Sequence, residues 1–186
     1  MKVVALVSGG KDSCYNILKC QEHGHDAVAL ANLHPEPNGV DDLDSYCFQT
    51  VGHNILHLYP QCMGIPMYRR RFRGVSHQRG LRYTATAGDE VEELFTLLAF
   101  VCAKHPDVAG VSSGAIASDY QRVRVENVCA RLGLVSLAYL WHQPQSKLLK
   151  VCQPTLLRPL EVYVRPCPVV ATQPAAAKCF AAIQHV

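Results

Sequence analysis

The chain has 186 residues, 49% of them apolar, and a formal net charge of +3. This length suits one domain with a sizeable core. The apolar stretches are too short to span a membrane, and the first residues do not have the pattern of a signal peptide. The nine cysteines form no C-x-x-C pair. Their pattern argues against a zinc site and favours buried, reduced thiols in a cytoplasmic protein.

The positive charge is concentrated at one end of the chain. Residues 142–186 contain five basic side chains and one acidic side chain, whereas residues 1–141 contain 13 basic and 14 acidic ones. The first 141 residues therefore have no excess of positive charge to attract a polyanion, and we expect no nucleic-acid partner.

Up to residue 141, short apolar runs alternate with helix-periodic segments. This alternation predicts an α/β fold with an open, mostly parallel sheet and crossover helices. In chain order, the predicted elements are strand 3–7, helix 13–24, strand 27–33, loop 35–42, helix 44–63, strand 66–72, helix 89–104, strand 108–111, helix 118–132 and strand 137–140.

The pattern changes after residue 141. Residues 142–186 hold six of the eleven prolines and show no sustained periodicity. We expect this segment to be a separate, basic and poorly ordered tail, with at most one edge strand over residues 160–164.

A glycine-containing loop joins the first strand to the first helix. It reads Ser8, Gly9, Gly10, Lys11, Asp12, Ser13. Such a loop presents backbone N–H groups at the positive end of a helix, where phosphate oxygens bind. The Walker A pattern does not fit, because Ala5 stands at its first glycine position and Asp12 follows the lysine.

Within this loop, the two serine hydroxyls and Lys11 suit phosphate oxygens. Asp12 would repel a phosphate directly, so its expected use is to hold magnesium that bridges the phosphates. Asp12 and Ser13 are also good helix-capping residues, and the two roles are compatible.

Three further segments contain candidate site residues. A turn after the 108–111 strand carries Gly114, Ser118, Asp119, Gln121 and Arg122, at the strand end where open α/β sheets bind ligands. Its charged residues alone would equally suit a solvated helix face. Weaker candidates are Gln49 and His53, which would share a face of the predicted 44–63 helix, and Asp89 and Glu92, which the helix dipole alone would explain.

Taken together, these segments resemble the diphthine–ammonia ligases, which are N-type ATP pyrophosphatases of the PP-loop superfamily. The resemblance covers residues 1–141 and rests on the segments 6–16, 29–33, 43–53, 88–92, 114–129 and 137–141. The 8–13 loop alone would indicate only the superfamily, whereas the later segments are specific to this family.

The resemblance implies an adenine-nucleotide alpha hydrolase-like fold, incomplete at its C-terminal end. It implies ATP-dependent amidation of diphthine on translation elongation factor 2, with ammonium as the nitrogen source and AMP and pyrophosphate released. The 8–13 loop would hold the β- and γ-phosphates, with Lys11 and Asp12 as catalytic candidates and Mg²⁺ on Asp12. The 114–122 turn would line the cleft for the nucleotide.

The family's Glu- and Gly-rich C-terminal block has no counterpart in residues 142–186. The chain therefore resembles the N-terminal portion of a family member joined to an unrelated ending. Two alternatives stay open: a PP-loop enzyme that modifies tRNA, and a nucleotide binder without catalytic activity. The first would use the basic cluster of Arg69, Arg70, Arg71, Arg73, Arg79 and Arg82.

Overall fold

The structure is a computed structural model that describes residues 1–36 and 43–144, together with residues 146 and 148. Its strands are β1 (Lys2–Leu6), β2 (Asp26–Pro35), β3 (Met67–Phe72), β4 (Val108–Ser112) and β5 (Val135–Leu137). Its α-helices are α1 (Lys11–Glu22), α2 (Tyr59–Met63), α3 (Glu90–Lys104) and α4 (Asp119–Leu132), and a 3₁₀ helix covers His53–Leu58.

The five strands form one parallel sheet in the order β3-β2-β1-β4-β5. The predicted α/β class with a parallel sheet is therefore confirmed. Strand β1 lies in the centre, paired with β2 on one side and β4 on the other. Its residues Val3, Val4 and Ala5 are fully buried, because helices cover both faces of a parallel sheet.

Two hydrophobic layers enclose the sheet. On one face, Val4, Ala29 and Ala31 pack against the apolar stripes of α3 and α4. On the other face, Val3, Ala5 and Leu30 pack against α1 and the segment around α2. The strand order reverses direction at β1, so the C-terminal end of β1 lies where such sheets form a crevice.

The predicted helix over residues 44–63 is wrong. Only Tyr59–Met63 is α-helical, the preceding turn is a 3₁₀ helix, and residues 43–52 are irregular. Pro60 lies in the first turn of α2, where a missing N–H is tolerated, but it cannot lie in the middle of a longer helix. Val51, an apolar residue of this segment, is 66% exposed.

The last strand is also displaced from its prediction. Gly133 ends α4 in a left-handed conformation with φ of +69°, and the chain enters β5 at Val135 instead of residue 137. Residues 138–141 form a turn, closed by a hydrogen bond from Trp141 N to Ala138 O. The early strand places Leu137 O beside the end of β4.

The other predicted elements agree with the structure to within about two residues at most ends. The largest differences among them are two residues, at both ends of α1 and at the end of β2. No helix within the described residues is long and apolar enough to cross a membrane. The predicted tail and its edge strand over residues 160–164 lie outside the described residues and stay predictions.

Candidate functional site

A cavity of about 340 Å³ opens at the C-terminal edge of the sheet, next to β1. Strands β1 and β2 contribute Leu6 and 31–33, and the loop after β1 contributes Ser8, Gly10, Asp12 and Ser13. The remaining walls come from residues 47–49, from Leu94 of α3, and from the turn after β4 with the first half of α4. This size and this place at the switch of strand order are typical of sites for small ligands.

The 8–13 loop lies between two close backbone contacts, and the first is at Gly9. Gly9 has φ of +88°, and a Cβ there would lie 2.3 Å from the carbonyl oxygen of Gly52. Both observations require glycine at this position. Gly10 is the N-cap residue of α1, and the Ser13 hydroxyl donates to its carbonyl at 2.9 Å.

The second close contact is at Gly114, in the turn after β4. A Cβ on Gly114 would lie 2.8 Å from Ser13 N and 3.0 Å from the carbonyl carbon of Asp12. The 8–13 loop and the turn after β4 are therefore in direct backbone contact. Together the two contacts fix the loop between the walls of the cavity.

The two charged residues of the loop differ in position. Asp12 lines the cavity, whereas Lys11 is exposed and is absent from the lining. The Lys11 ammonium lies 3.3 Å from an Asp12 carboxylate oxygen. Asp12 also lies in the first turn of α1, where the helix dipole favours a negative charge. A cation that entered the cavity would therefore meet the Asp12 carboxylate, with Lys11 beside it.

The start of α4 divides the predicted residues of this turn into two groups. Ser118 and Gln121 line the cavity, and the Ser118 side chain caps the helix by accepting from Gln121 N at 3.3 Å. Asp119 and Arg122 do not line it. Arg122 instead pairs with Asp119 and Glu126 along the helix and lies over the Trp141 ring at 4.7 Å.

The irregular 43–52 segment contributes one wall. Cys47, Phe48 and Gln49 line the cavity, but His53 does not. The His53 ring is stacked on the His34 ring with centroids 6.4 Å apart. The backbone carbonyl of His53 accepts a hydrogen bond from the Arg69 side chain. The argument that Gln49 and His53 share a helix face is wrong, because the helical turns begin only at residue 53.

The predicted cleft residues Asp89 and Glu92 lie elsewhere. The Asp89 carboxylate is buried and accepts from the backbone N–H groups of His77, Gln78 and Val91 at 2.9 to 3.3 Å. Glu92 forms a bidentate ion pair with Arg131, and this pair lowers the pKa of the Glu92 carboxyl. Both residues organise structure outside the cavity wall.

Glu90 has a positioning role that the sequence did not reveal. It is 2% exposed, accepts from the Ser45 hydroxyl at 2.6 Å, and accepts from Cys47 N at 3.2 Å. These bonds hold the start of the cavity wall that Cys47 and Phe48 form. Burial raises the pKa of the Glu90 carboxyl, because desolvation disfavours its charged form.

Asn32 is another residue of the cavity that the sequence pattern did not mark as a candidate. It is 4% exposed and lines the cavity, and its side-chain amide donates to Val7 O at 2.9 Å. Its oxygen accepts from Arg69 Nε at 3.0 Å. Asn32 thereby ties β2 to the residue that precedes the 8–13 loop. The only available signal was a polar residue within an apolar strand pattern.

Comparison with known proteins places most of this chain in one family. Residues 1–136 match the family described as the diphthamide synthase N-terminal domain. The chain belongs to this family. The relatives described next are named diphthine–ammonia ligase.

The relative from Rattus norvegicus is 57% identical over 152 residues, which cover 81% of this chain and 57% of the relative. The relative from Homo sapiens is 56% identical over 152 residues, with the same coverage of 81% and 57%. The relative from Schizosaccharomyces pombe is 53% identical over 149 residues, 80% of this chain and 24% of the relative. The chain thus spans little more than half the length of its mammalian relatives.

The close contact at Gly114 can be tested with Gly114→Ala and the matched change Gly80→Ala. Neither glycine has a left-handed φ, and a Cβ on Gly80 would meet nothing within 4 Å. We expect Gly114→Ala to lower the free energy of unfolding by about 1–3 kcal/mol through overpacking, and Gly80→Ala to change it by less than about 0.5 kcal/mol. Urea unfolding measures both, and equal effects would contradict the close contact.

The buried Glu90 carboxyl predicts a pH dependence of stability. Because its folded pKa is raised above the ordinary 4.5, its contribution to stability is complete below that value and is lost as pH rises through the folded pKa. The free energy of unfolding of the wild type, relative to Glu90→Gln, should therefore fall as pH rises above 4.5.

Glu92→Gln is the control with the opposite sign. Because Arg131 lowers the folded pKa of Glu92, its contribution is present above the ordinary pKa and is lost as pH falls through the folded pKa. Urea unfolding from about pH 3 to about pH 7 measures both differences. Slopes of the same sign would show that burial does not dominate at Glu90.

Proposed function

We propose that this chain is the nucleotide-binding portion of an enzyme that amidates diphthine to diphthamide, using ATP and ammonium. The carrying observation is the cavity in which the 8–13 loop faces the turn after β4 across a direct backbone contact. Family membership and more than 50% identity to diphthine–ammonia ligases connect this cavity with that chemistry. The proposed partner is diphthine-bearing translation elongation factor 2 in the cytoplasm.

The proposed reaction has two steps. The diphthine carboxylate attacks the α-phosphorus of ATP, which forms an acyl adenylate and releases pyrophosphate. Ammonia then attacks the acyl carbon, the C–O bond to AMP breaks, and the amide loses a proton. AMP is a far better leaving group than an oxide ion, so the protein has to position the reactants and stabilise the phosphate charge.

The described residues support separate roles along the cavity. The 8–13 loop at the N-terminus of α1 would bind the β- and γ-phosphates, because the helix end carries partial positive charge there. Lys11 is exposed beside Asp12 and would contact the pyrophosphate from outside the cavity. Ser118 and Gln121 would line the part of the cleft that holds the remaining nucleotide.

The donor set fits a magnesium ion that is held largely by phosphates. Asp12 places one partly exposed carboxylate in the cavity, and Mg²⁺ in nucleotide sites commonly takes one or two carboxylates together with phosphate oxygens and water. The ion would supply charge neutralisation for the phosphates. Asp12 would hold it at the start of α1.

The alternative of tRNA modification rested on six arginines, and the structure engages several of them. Arg69 donates to Asn32 and to His53 O, Arg70 pairs with Glu93, and Arg73 pairs with Glu36. Arg79 lies over the Tyr46 ring at 4.8 Å. The charges of Arg70 and Arg73 are compensated by carboxylates, which weakens their attraction for phosphates and reduces the support that this cluster gives to a nucleic-acid substrate.

The decisive experiment measures AMP formed from ATP in the presence of ammonium and diphthine-bearing elongation factor 2. The rat relative serves as the positive control, and reactions without ammonium, without elongation factor, or with tRNA in its place are the negative controls. We expect AMP formation that requires both ammonium and elongation factor, and a slower rate in this chain than in the longer relative. If this chain binds Mg-ATP but forms no AMP under these conditions, it is a nucleotide binder without catalytic activity.

The magnesium role of Asp12 can be tested with Asp12→Asn and Asp119→Asn. Each aspartate lies in the first turn of a helix, but only Asp12 lines the cavity. We expect Asp12→Asn to weaken Mg-ATP binding roughly tenfold or more, with little change when magnesium is absent. Isothermal titration with and without magnesium measures this. Equal losses in both variants would assign the effect to the helix dipole.

A further inference from the structure

Two adjacent serines at the end of β4 have different surroundings. The Ser112 hydroxyl accepts from the buried Asn16 amide at 2.7 Å. The residue Ser113 is only 5% exposed, and its hydroxyl is buried. This hydroxyl nevertheless has no hydrogen-bond partner within the described part of the chain. Buried hydroxyls in folded proteins are nearly always hydrogen-bonded, so an unpartnered one requires an explanation.

Ser113 lies in the part of the cavity next to the 8–13 loop. It lines the cavity, and the next residue, Gly114, packs directly on the backbone of Asp12 and Ser13. The opposite side of the cavity is formed by residues 31–33 of β2, which β1 separates from β4 in the sheet. A ligand group that reached Ser113 would therefore also lie next to the N-terminus of α1.

We propose that Ser113 is a binding residue whose hydroxyl donates a hydrogen bond to a phosphate oxygen of the bound nucleotide. The inference rests on the proposed nucleotide site. A rotation about the Cα–Cβ bond of serine moves the hydroxyl among staggered positions, and this rotation breaks no hydrogen bond within the described residues. A phosphate oxygen is a charged acceptor and forms a stronger hydrogen bond than a neutral group does.

The test compares Ser113→Ala and Ser113→Cys with the neighbouring change Ser112→Ala. Isothermal titration with Mg-ATP measures binding, and thermal unfolding measures stability. We expect both Ser113 variants to raise the Kd for Mg-ATP about tenfold. The Tm should be unchanged or slightly higher, because the Ser113 hydroxyl forms no hydrogen bond to the residues that the structure describes. Ser112→Ala should lower the Tm, because it leaves the Asn16 amide without that acceptor.

Titration with AMP and with pyrophosphate shows which phosphate Ser113 contacts. Weaker AMP binding in the variants would place the contact at the α-phosphate, and weaker pyrophosphate binding would place it at the β- or γ-phosphate. Either result supports the proposal. Wild-type protein that binds Mg-ATP, with unchanged binding in both Ser113 variants, would overturn it. Wild-type protein that binds none of these ligands would instead reject the nucleotide site itself.

Discussion

The position of the 8–13 loop depends on backbone contacts that exclude side chains on two sides. Gly9 lies against the carbonyl of Gly52, and Gly114 lies against the backbone of Asp12 and Ser13. A Cβ at Gly9 or Gly114 would clash with backbone atoms, and such a clash is relieved only by moving the backbone. The loop is therefore placed by the 43–52 segment on one side and by the turn after β4 on the other. The cavity exists because both segments reach the same end of β1.

Buried polar groups hold these segments in place over long sequence distances. Asn16 is fully buried, donates to Ser112 and to Leu137 O, and accepts from Tyr139 N. It thereby joins α1 to β4 and to the turn after β5. Glu90 holds the 43–52 segment, and Asp89 holds the connection that precedes α3. Removing such a group leaves its buried partners unsatisfied, which is more costly than the loss of one surface bond.

The sequence predicted those features that local patterns determine. The apolar strands and the glycine-containing loop between β1 and α1 each depend on a few neighbouring residues, and each is present in the structure. The helix predicted over 44–63 was wrong because the spacing of apolar residues carries no information about long-range hydrogen bonds. Cys47 N donates to Glu90, which is 43 residues further along the chain. Asp89 and Glu92 were recognised as acids at a helix start, but their partners His77 and Arg131 come from tertiary packing. No sequence pattern indicates that the Ser113 hydroxyl lacks a hydrogen-bond partner among the described residues.

The proposed site requires that one nucleotide contacts both the 8–13 loop and the turn after β4. Peptide-level hydrogen exchange of this chain, with and without Mg-ATP, tests that claim most directly. Bound nucleotide should slow exchange in residues 8–13 and in residues 113–118 together, because both segments line one cavity and would be stabilised by one ligand. Protection of only one of these segments, or protection confined to another part of the chain, would contradict the account.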